Sequence, residues 1–280
     1  NATVIVKGLE NIVGEEITIN ITGKGSQIVK VNASGVANAT FTDLAAGVYE
    51  IVAVYAGNAT HAANATTATL TVLKAGSDIV IGVNSTYYVD DDIVINVTGV
   101  NSTGAITVKI NGKEYNLTGN NITIPKGLAN GTYIIDVVLD GDENYTGSTR
   151  NATFVVNKLT PTIDVTDVAI IVGEDAVINI TGPADRNATL VVNVDGVDYA
   201  VNMTDGNASL TVKGLGADNY TVTVSYLEND KYVENSASGW VNVTAKVIVP
   251  ISVDDIEIVY GENATVIVKG LENIVGEEIT

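Results

Sequence analysis

Residues 44–57 read LAAGVYEIVAVYAG, a Leu set five residues before a Tyr and then apolar side chains at alternate positions. A period of two is that of a strand with one face on a core. The phrase returns as LANGTYIIDVVLDG at 128–141 and LGADNYTVTVSYLE at 215–228. Its three tyrosines, Tyr49, Tyr133 and Tyr220, stand 84 and 87 residues apart. Each is followed twelve residues later by another ring (His61, Tyr145, Tyr232) and then by a strand ending in Lys74, Lys158 or Lys246.

The rest of each unit follows the same period. In ITINITG, Ile17, Ile19 and Ile21 share one face while Thr18, Asn20 and Thr22 share the other, and IVINVTG and AVINITG repeat the pattern. Turns such as NGK and DGV recur, Val, Ile and Thr abound, and no 3.6-residue apolar stripe outlasts a turn. About seven short strands per repeat, with a Tyr at the entry to a late one, predict an all-β chain of tandem immunoglobulin-like β-sandwich domains arranged as a rod or filament. Tyr49, Tyr133 and Tyr220 would then be tyrosine corners, each hydroxyl tied to backbone in the preceding loop. The disulfide and packed Trp of antibody domains are missing from the pattern.

The opening eighteen residues, NATVIVKGLENIVGEEIT, recur unchanged at 263–280, a period of 262 residues. Both ends read as cuts through a longer repeat. Sibling domains begin SDIVIGVNSTYYVDDDIVINVTG and PTIDVTDVAIIVGEDAVINITG, and a third such start, PISVDDIEIVYGENATVIVKG, lies at 250–270. The expected domains are 1–75, lacking its first strand; 76–158; 159–246; and 247–280, the beginning of a next domain. Three sandwiches in a row separate the two ends by roughly 100 Å. The missing strand therefore comes either from a covalent array of identical units or from strand donation between separate chains. Both make neighbouring copies of the same repeat the expected partners, end to end. Pro161 and Pro250 stiffen two of the short linkers.

Composition narrows the function. A net charge of −19 argues against nucleic acid and anionic membrane surfaces, which need Lys and Arg. No apolar run approaches the roughly 18–20 residues of a membrane helix, so no membrane contact is expected in this segment. There is no Cys, and the chain has one His, one Met and one Trp, few reagents for catalysis. Carboxylates are abundant but fall in turns that differ among the domains, and no Ser/His/Asp set, Gly-rich phosphate loop or repeated Lys/Asn/acid triplet emerges. An enzyme is the least supported class.

The most specific signal is glycosylation. Of 29 Asn residues, 21 head an N-x-S/T sequon, where random placement gives about five. The expected sites of covalent N-glycans are Asn20, Asn32, Asn38, Asn58, Asn64, Asn84, Asn96, Asn101, Asn116, Asn130, Asn144, Asn151, Asn179, Asn187, Asn202, Asn207, Asn219 and Asn242. Asn20, Asn96 and Asn179 sit opposite the apolar face of their strands, where a sugar would project into solvent. That implies an extracellular, cell-surface protein.

No cofactor is expected. LDGDENYTG at 139–147 resembles the start of a calcium loop, with Asp140, Asp142 and Asn144 at alternate positions, but the closing bidentate Glu is missing and the sibling loops lack the ligand set. VDDD at 89–92 is a carboxylate-rich turn, and Ca2+ held between domains where such turns converge near joints is the alternative to no cofactor. His61 occupies the ring position of Tyr145 and Tyr232, which predicts packing rather than chemistry.

The combination of GEDAVINITG (173–182), DLAAGVY (43–49) and LDGDENY (139–145) resembles the Ig-like-repeat, adhesin-like surface proteins of methanogenic archaea and their bacterial relatives. The resemblance covers the whole chain and implies an extracellular tandem-repeat protein, often N-glycosylated in archaea. Two functions follow as expectations: a structural filament or stalk, or a carbohydrate- or host-binding adhesin module that takes surface glycans through exposed loops. With aromatics at only 5%, and most of them in recurring framework positions, the structural reading is favoured.

Overall fold

The computed structural model describes residues 1–274 and Gly276. The chain divides into two compact units, 1–157 and 158–280. The architecture is all-β, a tandem series of immunoglobulin-like sandwiches, two in the first unit and one in the second.

In the first sandwich β1 (Ala2–Val6), β2 (Glu16–Ile21), β3 (Gly25–Lys30), β4 (Ala37–Phe41), β5 (Gly47–Tyr55) and β6 (Asn64–Val72) form a β1–β4 pair facing a β3–β2–β5–β6 sheet. The period-two pattern decides what is buried. Ile17, Ile19 and Ile21 of β2 meet Ala37, Ala39 and Phe41 of β4 and Ala53 and Tyr55 of β5. Each of the three isoleucines contributes about 1.5–3 kcal/mol by leaving water.

The second sandwich has β7 (Asp78–Gly82), β8 (Thr86–Tyr88), β9 (Ile93–Val100), β10 (Ile106–Ile110), β11 (Lys113–Tyr115), β12 (Asn121–Ile124), β13 (Gly131–Leu139) and β14 (Ser148–Asn157). Its sheets are β12–β9–β7 and β11–β10–β13–β14–β8. Asn111 and Gly112, joining β10 to β11, both have positive φ (46° and 82°), as a two-residue type I′ hairpin demands. Phe154 stacks on Tyr133 with centroids 5.1 Å apart and meets Tyr87 edge-on at 5.7 Å.

The third sandwich repeats the plan with β15 (Asp164–Val165), β16 (Val168–Ile171), β17 (Ala176–Thr181), β18 (Ala188–Val194), β19 (Val197–Met203), β20 (Asn207–Val212), β21 (Asn219–Tyr226) and β22 (Asn235–Thr244). Here the sheets are β15–β17–β20 and β16–β22–β21–β18–β19. Asp195-Gly196 makes its β18–β19 turn with φ of 49° and 86°.

In the second and third sandwiches the leading segment serves both sheets. Its first part runs antiparallel to the next strand: β15 sets Val165 opposite Ile180. Its second part crosses over and runs parallel to the last strand, β16 pairing Val168–Ile171 with Val241–Thr244 and β8 pairing with β14 in the same way. The crossing is tight. Trp240 N donates to Asp167 Oδ1 at 3.0 Å, and a Cβ on Gly239 would stand 3.1 Å from both Asp167 Oδ1 and Val165 Cγ1. Glycine therefore lets the chain pass.

The first sandwich has neither part. Among the described residues nothing pairs with the outer edge of β1 or of β6. The far end of the chain carries β23 (Ser252–Val253) antiparallel to β24 (Val268–Lys269). The expectation of a further sandwich beginning at 247–280 falls in part on Val275 and residues 277–280, outside the described residues.

Candidate functional site

At the three corner positions, Tyr49 Oη donates to Ala45 O at 2.9 Å, Tyr133 Oη to Ala129 O at 2.9 Å and Tyr220 Oη to Gly216 O at 3.3 Å. Each bond spans four residues and pins the loop that delivers the penultimate strand. The Leu five residues upstream, Leu44 or Leu215, packs on the core of its own sandwich.

The loop that suggested calcium is built by its own backbone. Asp142 Oδ1 accepts from the N–H groups of Asn144 and Tyr145, both at 2.9 Å, and Oδ2 accepts from Thr103 N at 2.8 Å and Thr103 Oγ1 at 3.1 Å. The Thr103 N–H is the largest cause, offset in part by desolvation, of an Asp142 carboxyl held down to about 2 from its ordinary 3.8. Asp140 contributes its carbonyl, which accepts from Ser102 Oγ at 2.9 Å. Asn144 Oδ1 takes the N–H of Ala46 at 2.9 Å. The Asp142 and Asn144 side-chain oxygens are thus engaged within the fold, and among the described residues no three His, Asp or Glu side chains gather as a metal site.

The same turn recurs in the siblings, with Asn in place of Asp. Asn58 Oδ1 accepts from Thr60 N and His61 N at 2.8 and 2.9 Å, and Asn229 Oδ1 from Lys231 N and Tyr232 N at 2.9 and 2.8 Å. An Asx three residues before each ring is the signal in the sequence, and it is one of loop construction.

Beside this turn runs the residue that follows each sandwich's last Lys. Ala75 bridges to Tyr145, with Ala75 N on Asn144 O at 2.9 Å and Thr146 N on Ala75 O at 2.8 Å; Leu159 bridges to Tyr232, with Leu159 N on Lys231 O and Val233 N on Leu159 O, both at 2.9 Å. His61 has no such neighbour, and it is exposed, whereas Tyr145 is half-buried and Tyr232 buried. The packed ring expected at His61 is thus corrected: His61 is exposed.

Of the eighteen expected sugar sites, ten lie on strands (Asn20, Asn38, Asn64, Asn96, Asn151, Asn179, Asn202, Asn207, Asn219, Asn242) and eight on connections. Sixteen are exposed, and Asn20 and Asn242 are half-buried. Several side chains are already oriented. Asn32 Oδ1 accepts from Ser34 N and Val36 N at 2.9 and 3.0 Å, and Asn187 Oδ1 from Asp205 N at 3.1 Å, while Asn96 Nδ2 donates to Asn121 Oδ1 at 3.1 Å. Asn219 and Asn242 face each other across β21 and β22.

The remaining feature is the open side of the first sandwich. A pocket of about 80 Å³ lies between the end of β1 and the start of β6, lined by Val6, Leu9, Ile17, Tyr55 and Asn64 among others. The Tyr55 hydroxyl is buried there with no hydrogen-bond partner. In the third sandwich its counterpart Tyr226 accepts from Asn229 Nδ2 at 3.0 Å.

No family model matches the chain, and no curated protein matches it. Among solved structures, the fibronectin(III)-like modules of Clostridium thermocellum CbhA are 16% identical, with a TM-score of 0.28 over 60% of this chain and 95% of that one. Sidekick-1 immunoglobulin domains 1-5 are 11% identical, TM-score 0.33, over 88% and 56%, so this chain spans about half of that one's length. Tandem Ig repeats of Dlar are 12% identical, TM-score 0.25, over 61% and 99%.

Proposed function

We propose that this chain is a structural component of an extracellular cell-surface filament or adhesin stalk, built from tandem immunoglobulin-like sandwiches, N-glycosylated along its length, and joined end to end with copies of itself. Its motifs resemble archaeal adhesin-like proteins, which fit that description. One observation carries the reading: none of the eighteen sugar sites is buried, although they are spread over every sandwich and both of its sheets. A bulky polar modification at those positions leaves the cores intact.

The test is electron microscopy and glycopeptide mapping of native material. The expected result is a fibre with a spacing of roughly 100–130 Å per 262-residue period and sugar on several of the sixteen exposed sites. Globular particles, or bare polypeptide at every sequon, would refute the reading. The other function, an adhesin module for a carbohydrate or host ligand, predicts saturable binding by this segment on a glycan array.

A further inference from the structure

We propose that Trp240 is a stacking platform for the first pyranose ring of an N-glycan on Asn219, so that one of this chain's own sugars is held flat on the outer face of the third sandwich. This rests on the N-glycosylation proposed above and names the surface that one of those sugars covers.

Trp240 is the chain's one tryptophan and belongs to none of the recurring ring positions. The period of β22 turns it outward. Val241 and Val243, at the other parity, are 0% and 3% exposed, whereas Trp240 is 41% exposed. An indole on the wet side of a sheet forgoes much of the burial that an aromatic ring ordinarily contributes.

Its surroundings are hydroxyls and amides. Thr221 is its direct cross-strand partner, Asn219 and Thr223 are its diagonal ones, and Ser238 and Asn242 flank it along β22. A flat apolar ring framed by short polar groups suits a pyranose, whose C–H groups lie on the electron-rich face of the indole while its hydroxyls reach the polar border. The platform is also held still. β22 lies inside its sheet, between β16 and β21, and Trp240 N donates to Asp167 Oδ1 at 3.0 Å. A site built on a fixed strand is more precise than one on a loop.

Ring and sugar site occur together. The sequon is Asn219-Tyr220-Thr221, so the Thr that completes it is the residue paired with Trp240. Tyr220 faces Val241 as Tyr133 faces Phe154 and Tyr49 faces Leu70. That register puts Thr153 and Thr69 at the position of Trp240, and Thr132 and Val48 at the position of Asn219. Neither sibling has the ring, and neither has the Asn.

The sheet favours Asn219 over Asn242 as the attachment point. Asn242 is half-buried, with Asn219 beside it on β21 and Ala169 beside it on β16. Asn219 is exposed, and the β18 ladder along β21 stops at Val222, which leaves that flank open for the rest of the sugar tree. Diagonal cross-strand positions lie about 7 Å apart, a gap that the Asn side chain and its glycosidic bond span. Tethering sets the effective concentration of the sugar at the ring on the order of millimolar, which is what a weak stack needs.

The experiment measures acrylamide quenching of Trp240 fluorescence in the 280-residue chain purified in glycosylated form and in its Asn219→Gln and Asn242→Gln variants, with occupancy read by glycopeptide mapping. The expected result is an occupied Asn219 and quenching about threefold weaker in the parent than in Asn219→Gln, since the stacked sugar covers one face of the ring. Asn242→Gln should match the parent, and oligosaccharide released from the protein and added back to the parent should change nothing. Equal quenching in the parent and Asn219→Gln, unmasking by Asn242→Gln instead, or a bare Asn219 beside other occupied sequons would overturn the proposal. So would protection of the parent by the added oligosaccharide, which would mark a ring open to external glycans. Each of these leaves the glycosylated-stalk reading standing; bare polypeptide at every sequon would remove both.

Discussion

The Ala46 N–H donates to Asn144 Oδ1 at 2.9 Å, so a side chain of the second sandwich closes on the corner loop of the first. The contact joins two domains through the carboxamide oxygen, leaving its nitrogen for a sugar. Asn144→Ala removes the acceptor, and amide exchange at Ala46 should quicken about fivefold, for a bond worth about 1 kcal/mol. Asn144→Asp deletes the sequon but keeps the acceptor and should leave that amide protected, which separates the hydrogen bond from any glycan.

Removing the corner hydroxyls should cost a graded amount. Tyr49→Phe and Tyr133→Phe each delete a 2.9 Å bond and Tyr220→Phe one of 3.3 Å. The expected loss is about 0.5–1.5 kcal/mol for the first two and about 0.5 kcal/mol for the third, measured by urea unfolding. Retention of the ring keeps Tyr133→Phe stacked on Phe154.

Asp142 makes the second sandwich's loop acid-sensitive. Its folded pKa, about 2, lies below the ordinary 3.8, so the charged form is the one the fold favours. A depressed carboxyl contributes fully above about pH 4 and loses that contribution as pH falls through about 2. Exchange at Tyr145 and Thr103 amides should rise over that window. Asp142→Asn keeps the oxygen used by Asn58 and Asn229, gives up the second acceptor, and should show no such titration. A loop as acid-sensitive in this variant as in the parent would refute the assignment.

Asn219 and Asn242 are direct cross-strand partners, about 5 Å apart at Cβ, too close for two sugar trees to leave the sheet side by side. Asn219 is exposed and Asn242 half-buried. Glycopeptide mapping should find Asn219 occupied and Asn242 bare; a doubly modified peptide pair from one molecule would contradict this.

Period and ring spacing made the sheets legible, because alternation is imposed by the pleat and a late-strand Tyr by its loop. Ile17, Ile19 and Ile21 could be placed inward from the sequence alone, and they are buried. The division of the leading segment between two sheets could not be read that way. It depends on Gly239 admitting Val165 and on Asp167 catching Trp240 N–H, contacts 70 or more residues distant in sequence. His61 misled for a related reason: its slot is an aromatic one, but burial comes from a neighbour that precedes the slot in space and belongs to another part of the sequence. The acidic loop was legible as a turn from its sequence, but that the Asp142 carboxylate ties it to Thr103 and the Asn144 carboxamide oxygen reaches Ala46 was not.

The parallel pairing of β16 with β22 has a mechanical consequence. Within the third sandwich the leading segment delivers the chain to the start of β16, and the chain leaves at the end of β22, so tension that reaches those two points pulls the two strands lengthwise in opposite directions. Their ladder from Val168–Val241 to Ile171–Thr244 is then loaded in shear, its bonds yielding together instead of opening one by one like a zipper, and β8 against β14 is loaded in the same way.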